Sequence, residues 1–165
     1  MILGVVSDTH VRAPNARFES LLSRELAGAE ALVHAGDFTG EAVVDYLEFV
    51  DPRPFYGVGG NMDLWNVKGR LPPKRVERIA GLRVGIVHGW GAPSGLTQRV
   101  LDVFEEPVDV VIFGHSHRAT WERIGEIWVL NPGSAFDSRF APSCTVALLE
   151  VGSGEPKATF REVSA

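Results

Sequence analysis

The sequence predicts an α/β fold in which two β-sheets carry helices on their outer sides. Three observations carry that expectation. Apolar runs of strand length alternate with helix-period segments between Ile2 and Asn61, strand-like runs follow one another beyond Thr120, and Asp, Asn and His recur where the runs stop.

Ile2 to Val6 is a short apolar run ending in Ser7-Asp8. Phe18, Leu21, Leu22 and Leu26 then form a helical stripe behind the start signal Pro14-Asn15. Ala31 to His34 is a second strand closing on Gly36-Asp37, and Glu41 to Phe49 a second helix with Val43, Val44, Leu47 and Phe49 apolar. Arg53 to Val58 is a third strand, ending at Gly59-Gly60-Asn61. This β-α-β-α-β opening is the mark of a largely parallel sheet. Val76 to Ile79 and Leu82 to Val87 flank a turn at Ala80-Gly81, Leu96 to Phe104 reads as helix, and Val108 to Phe113 is a fully apolar strand stopping at Gly114-His115. Thr120 to Ile124, Ile127 to Leu130, Thr145 to Val151 and Ala158 to Val163 look like an antiparallel run. Asn131 to Ser143 is too long for a tight turn and is the expected functional loop. No repeat or linker divides the chain, so residues 1–165 are read as one domain.

With 45% hydrophobic and 22% charged residues, the 165-residue chain can bury a core of its own. A net charge of -5 argues against a grip on long nucleic acid or on an anionic membrane surface and points to a small substrate or a protein partner. The single cysteine, Cys144, excludes an intrachain disulfide or a cysteine-rich zinc module and fits a cytoplasmic setting. No apolar run approaches the roughly 20 residues of a membrane-spanning helix, and no signal-type stretch precedes the first strand.

The chemistry gathers at the strand exits: Asp8-Thr9-His10, Gly36-Asp37, Gly60-Asn61-Met62-Asp63, His88-Gly89 and Gly114-His115-Ser116-His117. Parallel strands of an open α/β sheet share one carboxyl edge, where ligands bind. Asp8, His10, Asp37, Asn61, His88, His115 and His117 would converge there, offering oxygen and imidazole nitrogen but no sulfur. That donor set suits divalent manganese, iron, zinc or nickel, and using all of it takes two ions with one shared carboxylate. Each fragment alone is an ordinary turn or cap signal; four of the five histidines falling at strand exits is what sets the pattern apart.

This ordered set resembles the calcineurin-like metallophosphoesterase superfamily over Val5 to about Ser134. Val87-His88-Gly89 and Asn131-Pro132-Gly133-Ser134 look most like its small YfcE-like phosphodiesterase branch. The resemblance implies a four-layer αββα sandwich of two mixed sheets. It implies one ion on Asp8, His10, Asp37 and His117 and a second on Asp37, Asn61, His88 and His115, with Asp37 bridging. Manganese is the first expectation for both, with nickel, iron or zinc as alternatives. It further implies hydrolysis of small phosphodiesters by a metal-bridging hydroxide, with Asp37, Asn61 and Asp63 in catalytic roles. Three other outcomes stay open on the same fold: a phosphomonoesterase, a nucleotide hydrolase, and a non-catalytic scaffold similar to a retromer subunit. A homo-oligomer is also expected from the resemblance.

One departure bears on mechanism. Much of the superfamily has His after the ligand Asn, and the small branch often Cys; here the residue is Met62, whose thioether has no proton to give. Backbone amides near Gly59-Gly60 and Asn131-Pro132-Gly133 are expected to offer donors to a phosphate. Arg118 and Arg139 flank the site, Trp65 and Trp90 are expected to wall a pocket, and His34 to support Asp37. Trp121 and Trp128 read as core or interface, and Cys144 as buried.

Overall fold

A computed structural model describes residues 1–164 and holds two five-stranded mixed sheets. In the first, β1 (Ile2–Val6), β2 (Ala31–His34) and β3 (Phe55–Gly57) run parallel, and β9 (Thr145–Glu150) with β10 (Lys157–Glu162) completes the order β10-β9-β1-β2-β3. β1 is central, parallel to β2 on one side and antiparallel to β9 on the other. The second sheet has the order β4-β5-β6-β8-β7, with β4 (Lys74–Ile79), β5 (Leu82–Val87), β6 (Val110–Ile112), β7 (Thr120–Ile124) and β8 (Ile127–Asn131). β5, β6 and β8 are its parallel strands.

Period-two alternation builds the layers. Leu3 and Val5 of β1, Ala31 and Val33 of β2, Val110 and Ile112 of β6 and Ala147 and Leu149 of β9 all point into one buried cluster between the sheets. The intervening Val6, Leu32 and Val146 face outward onto α1 (Ala16–Ser20) and α2 (Glu41–Asp45), where they meet Phe18, Leu22, Val43 and Leu47. Val111 and Val129 face α4 (Leu96–Asp102), against Leu96 and Val100. The result is the four-layer αββα arrangement. Asn15 caps α1 by accepting the Phe18 N–H at 3.0 Å, and both α1 and α2 run on through a π-helical turn, Leu21–Glu25 and Tyr46–Val50.

Two expectations need correction. The strands after Thr120 are not one antiparallel run: β8 pairs parallel with β6, while β9 and β10 cross to the other sheet. Alternation marks a strand without naming its neighbour. A helix also went unforeseen, α3 (Trp65–Arg70), because it buries only Val67 and so carries no apolar stripe. Cys144 is half-buried, not buried. Trp121 and Trp128 stack at 4.7 Å and pack on the inter-sheet cluster.

Candidate metal centre

All seven residues expected at the strand exits meet at one edge of the sandwich. Asp8 and His10 follow β1, Asp37 follows β2, Asn61 follows β3, His88 follows β5, and His115 and His117 follow β6. Asp8 Oδ1 lies 3.2 Å from His117 Nε2 and 3.8 Å from His88 Nε2; Asp37 Oδ2 lies 3.3 Å from His88 Nε2 and 4.0 Å from His10 Nε2. Asn61 Oδ1 lies 3.1 Å from His88 Nε2 and 2.9 Å from His115 Nδ1. The ligand atoms of Asp8, His10 and His117 fall within 4.8 Å of one another, as do those of Asp8, Asp37 and His88. Asp8 thus belongs to both groups, whereas the resemblance gave the shared role to Asp37; in this geometry both carboxylates lie between the two ends.

The tautomers decide what such a cluster can hold. A carbonyl oxygen only accepts, so His88 Nδ1 donates to Ala35 O at 2.7 Å and His115 Nε2 donates to Gly91 O at 2.8 Å. In the neutral rings, the nitrogens left facing Asp8, Asp37 and Asn61 Oδ1 carry lone pairs. Acceptors confront acceptors. Among the described residues, buried Asp8 Oδ1 has no aligned hydrogen-bond donor. A buried carboxylate oxygen in that position calls for positive charge. Burial pushes the Asp8 and Asp37 carboxyls up, but the imidazoles of His117 and His88 outweigh it and hold both below the usual carboxylate range. Burial pushes His88 and His117 down, and the same two carboxylates more than reverse it. A divalent cation among these groups would satisfy the field that otherwise draws protons onto the rings. The residues present therefore fit metal ions.

The backbone is bent to make this convergence. Asp8, His10, Asp37, His115 and His117 all have φ between 49 and 68°, five of the seven non-glycine residues in the left-handed region among the described residues. L-residues adopt that region at a cost, and it clusters at functional sites. Gly60 and Gly114 permit close approach: a Cβ on Gly60 would collide with Asp37, and one on Gly114 with Ser7 Oγ and Asp8 Oδ2.

Side chains behind the edge fix these bends. Asp63 Oδ2 accepts from Gly60 N at 2.7 Å and Asp37 N at 3.1 Å, and its Oδ1 from Thr39 N at 2.8 Å, tying the β2 and β3 exits together. Burial pushes the Asp63 carboxyl up. Met62 donates its backbone N–H to Asp37 Oδ1 at 2.7 Å, while its side chain is exposed. His34 is buried, its pKa lowered to about 3 by that burial. It accepts from Gly36 N at Nδ1, so its Nε2 donates to Thr9 Oγ1 at 3.0 Å. It stacks on Phe38, with ring centroids 3.6 Å apart.

Four supports escaped sequence reasoning in these roles. Ser7 Oγ donates to Asp8 Oδ2 at 2.6 Å, Ser134 Oγ to Asp8 O at 2.7 Å, and Asn131 Nδ2 to Gly114 O at 2.7 Å. Asp137 Oδ2 stands 3.5 Å from His117 Nδ1, the carboxylate–histidine arrangement that orients metal ligands. Three of them lie in the 131–143 loop, so the loop's length was the available signal.

Several expected contributors are engaged elsewhere. The amides of Gly59, Gly60 and Gly133 donate to Pro72 O, Asp63 and Asn131 Oδ1, which leaves none of the three for a phosphate. Arg139 pairs with Asp137, and Arg118 Nε donates to Phe140 O. Trp90 lines a cleft beside His88, whereas Trp65 is 85% exposed and does not line it.

Comparisons with known proteins give the family. A family model described as the calcineurin-like phosphoesterase superfamily domain matches residues 1–154. A probable metallophosphoesterase of Methanothermobacter thermautotrophicus is 33% identical over 135 residues, covering 81% of this chain and 77% of its own. A phosphodiesterase of Methanocaldococcus jannaschii is 28% identical over 145 residues, covering 81% and 83%. Wild-type Vps29 of Entamoeba histolytica, crystallised with zinc, superposes with a TM-score of 0.69 at 26% identity over 99% of this chain and 100% of that one.

Proposed function

The chain belongs to the calcineurin-like phosphoesterase superfamily of metal-dependent hydrolases, and on that premise we propose that it is a two-metal phosphodiesterase acting on small phosphodiesters. Asp8, His10, Asp37 and His117 would hold one ion, and Asp37, Asn61, His88 and His115 the other. The observation that carries the reading is the convergence of acceptor atoms around Asp8 Oδ1, a buried oxygen with no aligned donor among the described residues. When bound, such ions supply Lewis acidity toward phosphoryl oxygens and acidify a water for attack. Manganese is the first choice, with nickel, iron or zinc as alternatives.

The chain's own residues hold this apparatus still. Asp63 accepts the backbone N–H of Asp37 while the Met62 N–H donates to the Asp37 carboxylate, and Asn131 fixes the His115–His117 turn through Gly114 and Ser116. Asp63 is a positioning residue in this reading, its oxygens taken up by backbone donors. Met62 offers the leaving group no proton, so esters with good aryl leaving groups should turn over faster than alkyl esters. A general acid is worth about 10² to 10⁴ in rate. Equal kcat on both classes would refute this, and Met62→His should raise the alkyl rate selectively.

The test of the function is hydrolysis of bis-p-nitrophenyl phosphate by chelator-stripped protein, before and after Mn²⁺, with Asp37→Asn as control. Activity restored by metal and lost in the variant is expected; p-nitrophenyl phosphate run alongside separates a monoesterase or nucleotide hydrolase. One observation favours a second reading, a protein-binding scaffold: Met62, Leu64 and Trp65 expose large apolar side chains on the segment after Asn61. No hydrolysis with Mn²⁺, Ni²⁺, Zn²⁺ or Fe²⁺ would select it. The proposal treats residues 1–165 as one cytoplasmic domain and includes a homo-oligomer, which sedimentation reads directly.

A further inference from the structure

Next to Asn61 and His88, a cleft of about 550 Å³ opens between α3 and the strands β4 and β5. Ligand pockets commonly measure about 300 to 1,000 Å³. Its walls are apolar, formed by Leu71, Pro73, Val87 and Val103, with Trp90 also in the lining. Among the described residues, Lys68 and Lys74 line it and no carboxylate does, in a chain with 21 acidic residues against 16 basic ones. Lys68 Nζ donates to Asn61 O at 3.1 Å and Lys74 Nζ to Val103 O at 2.5 Å. Both ammonium groups rest on main-chain carbonyls, and each has two further donors.

We propose that this cleft seats the second substituent of the phosphate ester, and that the substituent is an aromatic ring bearing an anionic group of its own. The proposal rests on the reading above, in which Asn61 and His88 mark one end of the centre that holds the phosphoryl group. Apolar walls desolvate a ring, and Trp90 offers it a face or an edge. Lys74, on the Val103 carbonyl and in no ion pair with a carboxylate among the described residues, selects a negative charge at the far side of that ring, and Lys68 beside Asn61 adds to the same positive field. The selection weakens with salt, since both lysines are at the surface.

The test measures calorimetric binding of three non-hydrolysable probes, methylphosphonate, benzylphosphonate and 4-carboxybenzylphosphonate, to the manganese-supplied full chain. Each step along that series should tighten binding about tenfold at low salt. Lys68→Gln combined with Lys74→Gln should erase the step due to the carboxylate and keep the step due to the ring. Lys74→Glu, which leaves Lys68 on the Asn61 carbonyl, guards against a folding defect: benzylphosphonate should bind it normally while the carboxylate becomes a penalty. Equal binding of all three probes overturns the proposal, and so does a carboxylate step that survives both variants. Hydrolysis of bis-p-nitrophenyl phosphate is scored in parallel. A graded series without hydrolysis keeps the cleft and removes the phosphodiesterase; hydrolysis with an ungraded series does the reverse.

Discussion

The first sheet delivers Asp8, His10, Asp37 and Asn61 to the common edge, whereas the second delivers His88, His115 and His117. Every oxygen donor comes from one sheet, and three of the four imidazoles come from the other. The supports cross between the sheets: Ala35, at the β2 exit, holds His88, and Ser134, beyond β8, holds Asp8. Asp63, Ser7 and His34 brace the oxygen side, and Asn131 and the carbonyls of Ala35 and Gly91 brace the nitrogen side. Neither sheet alone carries a complete donor set, so the centre is a property of how the two pack. A bound cation would therefore join them.

Four outcomes put that contrast to the test. The largest concerns Asp8, which faces histidines of both groups. Asp8→Asn should lower hydrolysis more than the roughly 10- to 100-fold typical of a supporting residue, and calorimetry should count fewer bound ions. His115→Ala should cost one ion only, and identical stoichiometries in the two variants would undo the two-ended description. Next is the joining of the sheets: Mn²⁺ at a hundred times its Kd should stabilise the fold by about 2.7 kcal/mol, measured by denaturant titration with and without chelator. A Cm that ignores the metal would mean that the folded chain binds no ion in preference to the unfolded one.

Smaller still is the effect of Gly114→Ala, which pushes a methyl from the second sheet into Ser7 and Asp8 of the first. Overpacking of this kind costs about 1 to 3 kcal/mol, and metal affinity should fall with stability. The smallest lies far from the edge, at Asp51. The Arg53 guanidinium accounts for most of the lowering of its carboxyl below the usual carboxylate range, and Arg53 also donates to Leu26 O at 3.0 Å. A depressed carboxyl stabilises the fold above its ordinary value near pH 4 and loses that contribution as pH falls through the lowered one. Asp51→Asn should cost about 1 kcal/mol at pH 7 and flatten the acid limb of the stability curve, with hydrolysis unchanged.

The contrast between the sheets was partly legible in the sequence. Strand exits ending in Gly-Asp, Gly-Asn or Gly-His could be read locally, because a strand followed by glycine and a polar residue is a short-range signal. Asp37, Asn61 and His115 follow from it, and Asp8, His10, His88 and His117 from their place at or just beyond a strand's end, once one topological rule puts those ends on a common edge. Sheet membership was not legible for β8 and β9: their alternation is satisfied equally by an antiparallel neighbour nearby or a distant one. Asp137 and Ser134 were hidden for a related reason. Only tertiary packing brings a loop near residue 134 onto Asp8 O and His117 Nδ1. The left-handed backbone at five donor positions leaves no trace in residue type, since Asp and His there could as well have been extended.

Placing β1 at the middle of its sheet also has a consequence for synthesis. β2 can pair with that strand once residues 31–34 emerge. Its other edge has to wait for β9, from Thr145 onward. Until residue 145 emerges, then, the nascent chain carries an apolar strand with one open edge. Such an edge is a template for wrong pairing with another chain, and contacts this distant in sequence form slowly. The strand that closes it is made after every strand of the second sheet.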